Sequence, residues 1–228
     1  MNFKTYLLIF SFCTFCSFSQ AQVVKQPIPG KGSLGIKIDG KLDDWKTYSF
    51  QYDKRTRLSY VLTNDEKYLY LAIRKDKNAR KINRGGLSFI LVDDKKNEMN
   101  FTYPTIESGH MELDLIRLSG IPSIQDSVIS VYNEYGINAA MVIGTEAAVP
   151  VYTMEFAIPF KTIREVTQAQ TKELNFIIRL IGNNDNAGAA LMSSSTMDNQ
   201  SLISKEDVID LFAVTELKGI YKIAVKAN

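Results

Sequence analysis

The sequence predicts an all-β fold: an antiparallel β-sandwich of jelly-roll type with one or two short helical turns. Three observations predict it. Apolar residues recur in period two along most of the chain beyond residue 35, the mark of half-buried strands. The runs are short and separated by clusters of Asn, Asp, Gly and Lys, so they turn back on one another. Some runs are apolar on both faces, which suits strands packed between two layers and favours a sandwich over a barrel.

Taken in order, Leu58, Tyr60 and Leu62 alternate with Ser59, Val61 and Thr63, and Asn64-Asp65-Glu66-Lys67 turns the chain. Tyr68-Leu69-Tyr70-Leu71-Ala72-Ile73-Arg74 returns it, apolar on both faces and so inside a sheet. Leu87-Ser88-Phe89-Ile90-Leu91-Val92 is another buried strand, followed by the polar turn at 93–97. Met99, Phe101 and Tyr103 alternate up to Pro104, which ends the strand because it has no N–H to donate. Residues 128–132 and 139–143 flank a turn containing Gly136. Tyr152, Met154, Phe156 and Ile158 alternate, as do Leu174, Phe176, Ile178 and Leu180, and residues 220–225 close the series. That makes about ten strands. Helical signal is confined to 159–165, opened by Pro159, and to 204–211. Residues 183–200 form a long polar loop, of a length that is either functional or disordered in a compact domain.

The first residues stand apart. Lys4 precedes the short apolar run Leu7-Leu8-Ile9-Phe10, and Ser19-Gln20-Ala21 offers a small-x-small cleavage site. This is the pattern of a secretory signal peptide cut after Ala21, and the run is too short for a membrane span. The expected organisation is a signal at 1–21, an extended lead-in at 22–35 and one sandwich domain at 36–228. The expected location is exported, either periplasmic or secreted. Cys13 and Cys16, both cysteines of the chain, fall in the signal, so the exported part depends on its core alone. A lipid anchor on Cys16 would need a small residue before it, where Phe15 stands.

Composition excludes several functions. Lys and Arg number 27 against 25 Asp and Glu, and so close a balance lacks the basic excess of a nucleic-acid binder. One histidine, His110, precludes a polyhistidine metal centre. It lies in the polar turn Glu107-Ser108-Gly109-His110-Met111-Glu112 and reads as exposed. No Gly-x-Ser-x-Gly elbow occurs, so no catalytic constellation is recognised and the chain reads as a non-enzyme. A carboxylate pair of the glycosidase kind stays open, because 25 acidic residues make chance pairs easy.

The sharpest local feature is Asp39-Gly40-Lys41-Leu42-Asp43-Asp44-Trp45. Asp-Gly signals a turn, and Asp43 caps a second one that swings Trp45 inward. The sole tryptophan reads either as a core plug, the favoured reading, or as a ring stacked on a sugar. The acidic trio offers oxygens of the kind calcium takes, although not at EF-hand spacing.

Four segments together resemble carbohydrate-binding module family 9. Residues 36–45 are similar to its opening, I-x-I-D-G-x-L-D-x-x-W, and residues 152–160 to its later strand, Y-x-x-E-x-A-I-P. Residues 64–73 are similar to its hairpin, and 174–179 with Asn183-Asn184-Asp185 to its strand and loop. The resemblance implies a β-sandwich that binds saccharides, with Ca2+ as its structural ion. It also implies a clamp of two aromatic rings, typically tryptophans. Here one Trp stands, in the opening motif, so Tyr103, Tyr132 and Tyr135 are the candidate substitutes. Arg74 is placed where the family sets polar contacts, and its planar fork suits vicinal hydroxyls. Pairing with Asp76 is the plain alternative. Asn183, Asn184 and Asp185 follow from the family's loop, since amides both donate to and accept from hydroxyls. The same residues also suit a turn with no ligand. Glu155 matches the strand glutamate and is expected to be structural. Haem-binding relatives share the sandwich but need axial ligands, which here could come from His110 and the methionines.

The expected ligand-binding set is therefore Arg74, Tyr103, Asn183, Asn184 and Asp185. The expected function is that of an exported, non-catalytic module that binds a glycan or saccharide chain end. The alternative is a sandwich that has lost sugar binding and serves as a structural or protein-interaction component of the cell envelope.

Overall fold

The alternating segments pair into two sheets that stack face to face, antiparallel throughout except where the two-residue strand at 22–23 joins an edge in parallel. The computed structural model describes residues 22–23, 35–93, 96–125, 127–167, 171–182 and 210–224. The strands, in chain order, are β1 (Gln22–Val23), β2 (Gln51–Asp53), β3 (Leu58–Asn64), β4 (Tyr68–Lys75), β5 (Leu87–Val92), β6 (Glu98–Tyr103) and β7 (Thr105–Glu107). They continue as β8 (His110–Glu112), β9 (Leu115–Ser119), β10 (Val128–Ser130), β11 (Asn138–Glu146), β12 (Val149–Pro159), β13 (Glu173–Leu180) and β14 (Thr215–Lys222). One sheet runs β1-β14-β13-β5-β6-β9-β10, the other β11-β12-β4-β3-β2, and β7 and β8 form a separate hairpin. Neither sheet closes on itself, so the fold is an all-β sandwich rather than a barrel.

Period two decides which side chains meet between the sheets. Leu69, Leu71 and Ile73 of β4 and Met154, Phe156 and Ile158 of β12 face Phe89 and Leu91 of β5 and Leu174, Phe176 and Ile178 of β13 in one buried cluster. Rings bridge the layers: Tyr60 lies 6.2 Å from Phe176, Phe89 6.3 Å from Phe156, and Tyr103 5.9 Å from Phe156 at 83°. Gly219 is the register partner of Phe176 on β14. The C-terminal end is tied down by buried Asn64, whose Oδ1 accepts the Tyr221 hydroxyl at 2.7 Å and the Ala224 amide at 2.9 Å.

The helical turn expected at 159–165 is α2 (Phe160–Ile163), with Pro159 extended just before it. A further short helix, α1 (Ile82–Gly85), follows a 3-10 turn at Ala79–Lys81. The turn expected at 204–211 is helical at residues 210–212, and its earlier part lies outside the described residues. The proposed signal, residues 1–21, lies outside them as well. No helix of the described residues is long and apolar enough to cross a membrane.

A second, smaller cluster sits on the other face of the five-stranded sheet. Trp45 packs there on Val61, Tyr70, Ala72 and Ala157, with Ile36, Ile38, Leu42, Tyr48 and Phe50 around it. Residues 36–50 thus cover part of the sheet's outer face, while Tyr68, Tyr70 and Ala72 lie on the opposite side of β4 from its core leucines.

Several ionisable groups are buried, among them Lys75, Lys81 and Glu155. The Lys75 side chain is 0% exposed at the end of β4 and donates to the Thr56 carbonyl at 2.9 Å. Burial lowers its pKa to about 8, Lys81 and Arg57 pushing the same way while Asp210 pulls it back up. The folded pKa is below that of the unfolded chain, so the unfolded state binds more protons between about pH 8 and 10.5, and stability must rise with pH across that window. Relative to Lys75→Met, the wild type is expected to gain roughly 1–3 kcal/mol between those pH values in urea denaturation. A flat difference would show that the ammonium is not penalised by folding.

Candidate functional site

The site begins with the turn at Asp39-Gly40. Gly40 takes φ of +79°, and a Cβ there would meet the Met141 carbonyl carbon at 2.7 Å and the Val142 nitrogen at 2.9 Å. Glycine is therefore required both by the left-handed backbone and by close passage over β11. The Thr153 hydroxyl donates to the Gly40 carbonyl at 2.6 Å and pins the turn to β12.

Glu155 holds the same turn from below. It points outward from the sheet yet is 0% exposed, because residues 36–50 lie over it. Its Oε2 accepts the backbone amides of Asp39 at 3.0 Å and Gly40 at 2.6 Å, and its Oε1 accepts the Trp45 indole N–H at 2.6 Å. Burial pushes its carboxyl above the ordinary carboxylate value, with the Asp39 charge adding to the push and the three N–H donors opposing it. Its strand neighbours on either side are Ala140 and Ala72, small enough to leave the carboxylate and indole their space. Trp45 is 1% exposed and is a core ring, not a surface platform.

Beside this unit opens a groove of about 620 Å3, lined by Ile36, Ile38, Asp39, Tyr68, Tyr70, Val131, Tyr132, Asn138, Ala139, Ala140 and Ala157. Its size is that of a small-molecule pocket. Register explains its floor: Asn138 pairs with Ala157 and Ala157 with Tyr70, so the three form one row across β11, β12 and β4. The Tyr68 and Tyr70 rings lie 5.9 Å apart at 39°. Tyr132, 89% exposed, stands on the turn after β10. Asn133 fixes that turn through its amide, which donates to the Ser130 and Ile137 carbonyls and accepts the Ile137 N–H. Alanines beside tyrosines leave a concave, partly apolar surface bordered by one carboxylate and one amide.

Comparison of the chain with known protein families, curated proteins and solved structures found no match.

The geometry sorts the sequence-predicted residues. Tyr132 lines the groove. Tyr103 does not: it is 2% exposed, and its hydroxyl donates to the Leu113 carbonyl at 3.0 Å, so its ring belongs to the core. Tyr135 is partly buried and also packs on that core. Arg74 is outside the groove lining, and its fork is closed on Glu146 by two bonds of 2.7 Å, with Asp76 at 4.0 Å. Asn183, Asn184 and Asp185 lie outside the described residues. Tyr68, Tyr70 and Asn138 are groove residues that sequence reasoning did not select, and Asp39 was selected for calcium rather than for a sugar. The readable signal was that Tyr68 and Tyr70, two apart on a strand, share the face opposite Leu69 and Leu71.

The acidic trio is spread over local partners. Asp39 accepts the Lys41 amide at 2.9 Å, Asp44 the Lys37 amide at 3.0 Å, and Asp43 pairs with Lys46 at 2.8 Å. Among the described residues no group of three or more His, Cys, Asp or Glu is placed to hold a metal ion.

Proposed function

We propose that the groove binds a saccharide and that the chain is an exported, non-catalytic carbohydrate-binding module of the family 9 kind. The observation that carries this reading is the groove itself: three tyrosines around an alanine floor, with Asp39 and Asn138 on its lining. Sugar rings present apolar C–H faces and a rim of hydroxyls, and aromatic side chains with a polar tip satisfy both. The interlocking of two distant motifs of the resemblance also supports it, since Glu155 of the later strand bonds Asp39, Gly40 and Trp45 of the opening.

Calorimetric titration with a panel of mono- and oligosaccharides tests the reading. Binding at millimolar sugar or below is expected, and Tyr132→Ala should weaken it by roughly tenfold, the loss of one exposed aromatic contact. Absence of heat with every sugar, or full affinity in Tyr132→Ala, would exclude this groove as the site.

A second reading, a protein-interaction component of the envelope, draws on Ile143 and Val149, 47% and 48% exposed on the β11–β12 hairpin. It predicts that Ile143→Lys abolishes association with an envelope partner and leaves sugar titrations unchanged.

A further inference from the structure

The electrostatics of the groove narrow its ligand class, an argument that rests on the saccharide reading above. Among the described residues, the one charged side chain in the lining is the Asp39 carboxylate, and no lysine or arginine joins it. Asp39 is fixed rather than loose, because its Oδ1 accepts the Lys41 amide at 2.9 Å. Beneath it lies a second carboxylate, that of Glu155, bonded to the Asp39 backbone N–H. A third is coupled to the aromatic wall: Asp65 Oδ2 accepts the Tyr70 hydroxyl at 2.9 Å, while its Oδ1 takes the Lys67 and Tyr68 amides at 2.7 and 2.8 Å.

These features act in one direction. A phenol that donates its proton toward a carboxylate gains electron density in the ring, and an electron-rich ring face attracts a cation. Asp39, an exposed residue at the wall, adds a carboxylate that attracts a cation and that salt will screen. A uronate or sulfated sugar would meet that charge without a cation to offset it. A neutral sugar would gain from the rings alone. A sugar bearing an ammonium would gain from both.

We infer that the ligand of this groove is a basic saccharide, a glucosamine-type amino sugar whose ammonium is taken by the Asp39 carboxylate and the rings of Tyr68, Tyr70 and Tyr132. Three oligosaccharides of equal length, titrated into the full chain, test it: one of glucosamine, its N-acetylated counterpart and one of a uronic acid. N-acetylation keeps the ring and removes the charge. The glucosamine oligomer is expected to bind at least about tenfold tighter than the acetylated one, the uronate not at all, and added salt should shrink the preference. Asp39→Asn retains an oxygen for the Lys41 amide and should bring the two sugars to parity, whereas Tyr132→Ala should weaken both. Equal binding of the two in the wild type, tighter binding of the uronate, or an unchanged preference in Asp39→Asn would overturn the ammonium assignment and leave the saccharide reading standing. Binding of none of the three, together with none across a wider neutral panel, would overturn both.

Discussion

Glu155→Ala is expected to lower the free energy of unfolding by roughly 3–5 kcal/mol, because it leaves several buried donors without an acceptor at once. The Asp39 and Gly40 amides and the Trp45 indole N–H all end on this one carboxylate. Alanine offers none of them an oxygen, and water must enter beneath residues 36–50 to replace it. Glu155→Gln keeps one side-chain oxygen but turns an amide N–H2 toward a donor, so a smaller loss, about 1–3 kcal/mol, is expected. Urea denaturation measures both. Trp45 is the sole tryptophan of the chain, so its emission should shift to the red in native Glu155→Ala as the indole loses its partner. A midpoint and emission matching the wild type would mean that the carboxylate does not hold the turn.

Gly40→Ala should cost roughly 2–4 kcal/mol by a different route. Alanine at φ +79° is strained in any surroundings, and here its Cβ would stand 2.7 Å from the Met141 carbonyl carbon and 2.9 Å from the Val142 nitrogen. Both are backbone atoms of a paired strand and have little freedom to give way. The turn must lift, which draws the Asp39 and Gly40 amides off Glu155 and carries the Asp39 carboxylate away from the groove. Saccharide affinity should therefore fall together with stability. Unchanged denaturation would show that the turn does not lie as closely on β11 as described.

Most of the longer strands were legible from alternation, although β9, Leu115–Ser119, alternates and was not selected. Leu58 to Lys75 was legible because a polar turn separates two runs whose periods agree with the β3–β4 register. The hairpin of β7 and β8 and the edge strand β2 have three residues each, too few for a period to emerge among Thr105, Ile106, Glu107 and their neighbours. The opening motif and the strand motif around Glu155 were both visible, but their bond joins residues 110 positions apart and depends on residues 36–50 folding over the sheet. Arg74 had Asp76 as its near partner in sequence. Its actual one, Glu146, is 72 positions away and is brought near by the β4–β12–β11 order. Tyr103 beside Pro104 looked like a strand-end ring, yet the chain through Leu113 closes over it. Tyr68 and Tyr70 were read correctly as strand residues. Their groove exists because residues 36–39 and the turn carrying Tyr132 border the same patch of sheet, and alternation along one strand carries no information about that.

Titration of the 15N-labelled chain with the glucosamine oligosaccharide, followed residue by residue in amide NMR spectra, tests most directly whether the groove takes a saccharide. Saturable shifts at millimolar ligand or below are expected, concentrated at Asp39, Tyr68, Tyr70, Tyr132 and Asn138. Spectra that do not change, or shifts that saturate elsewhere on the sandwich while these five amides stay still, would exclude sugar binding in this groove.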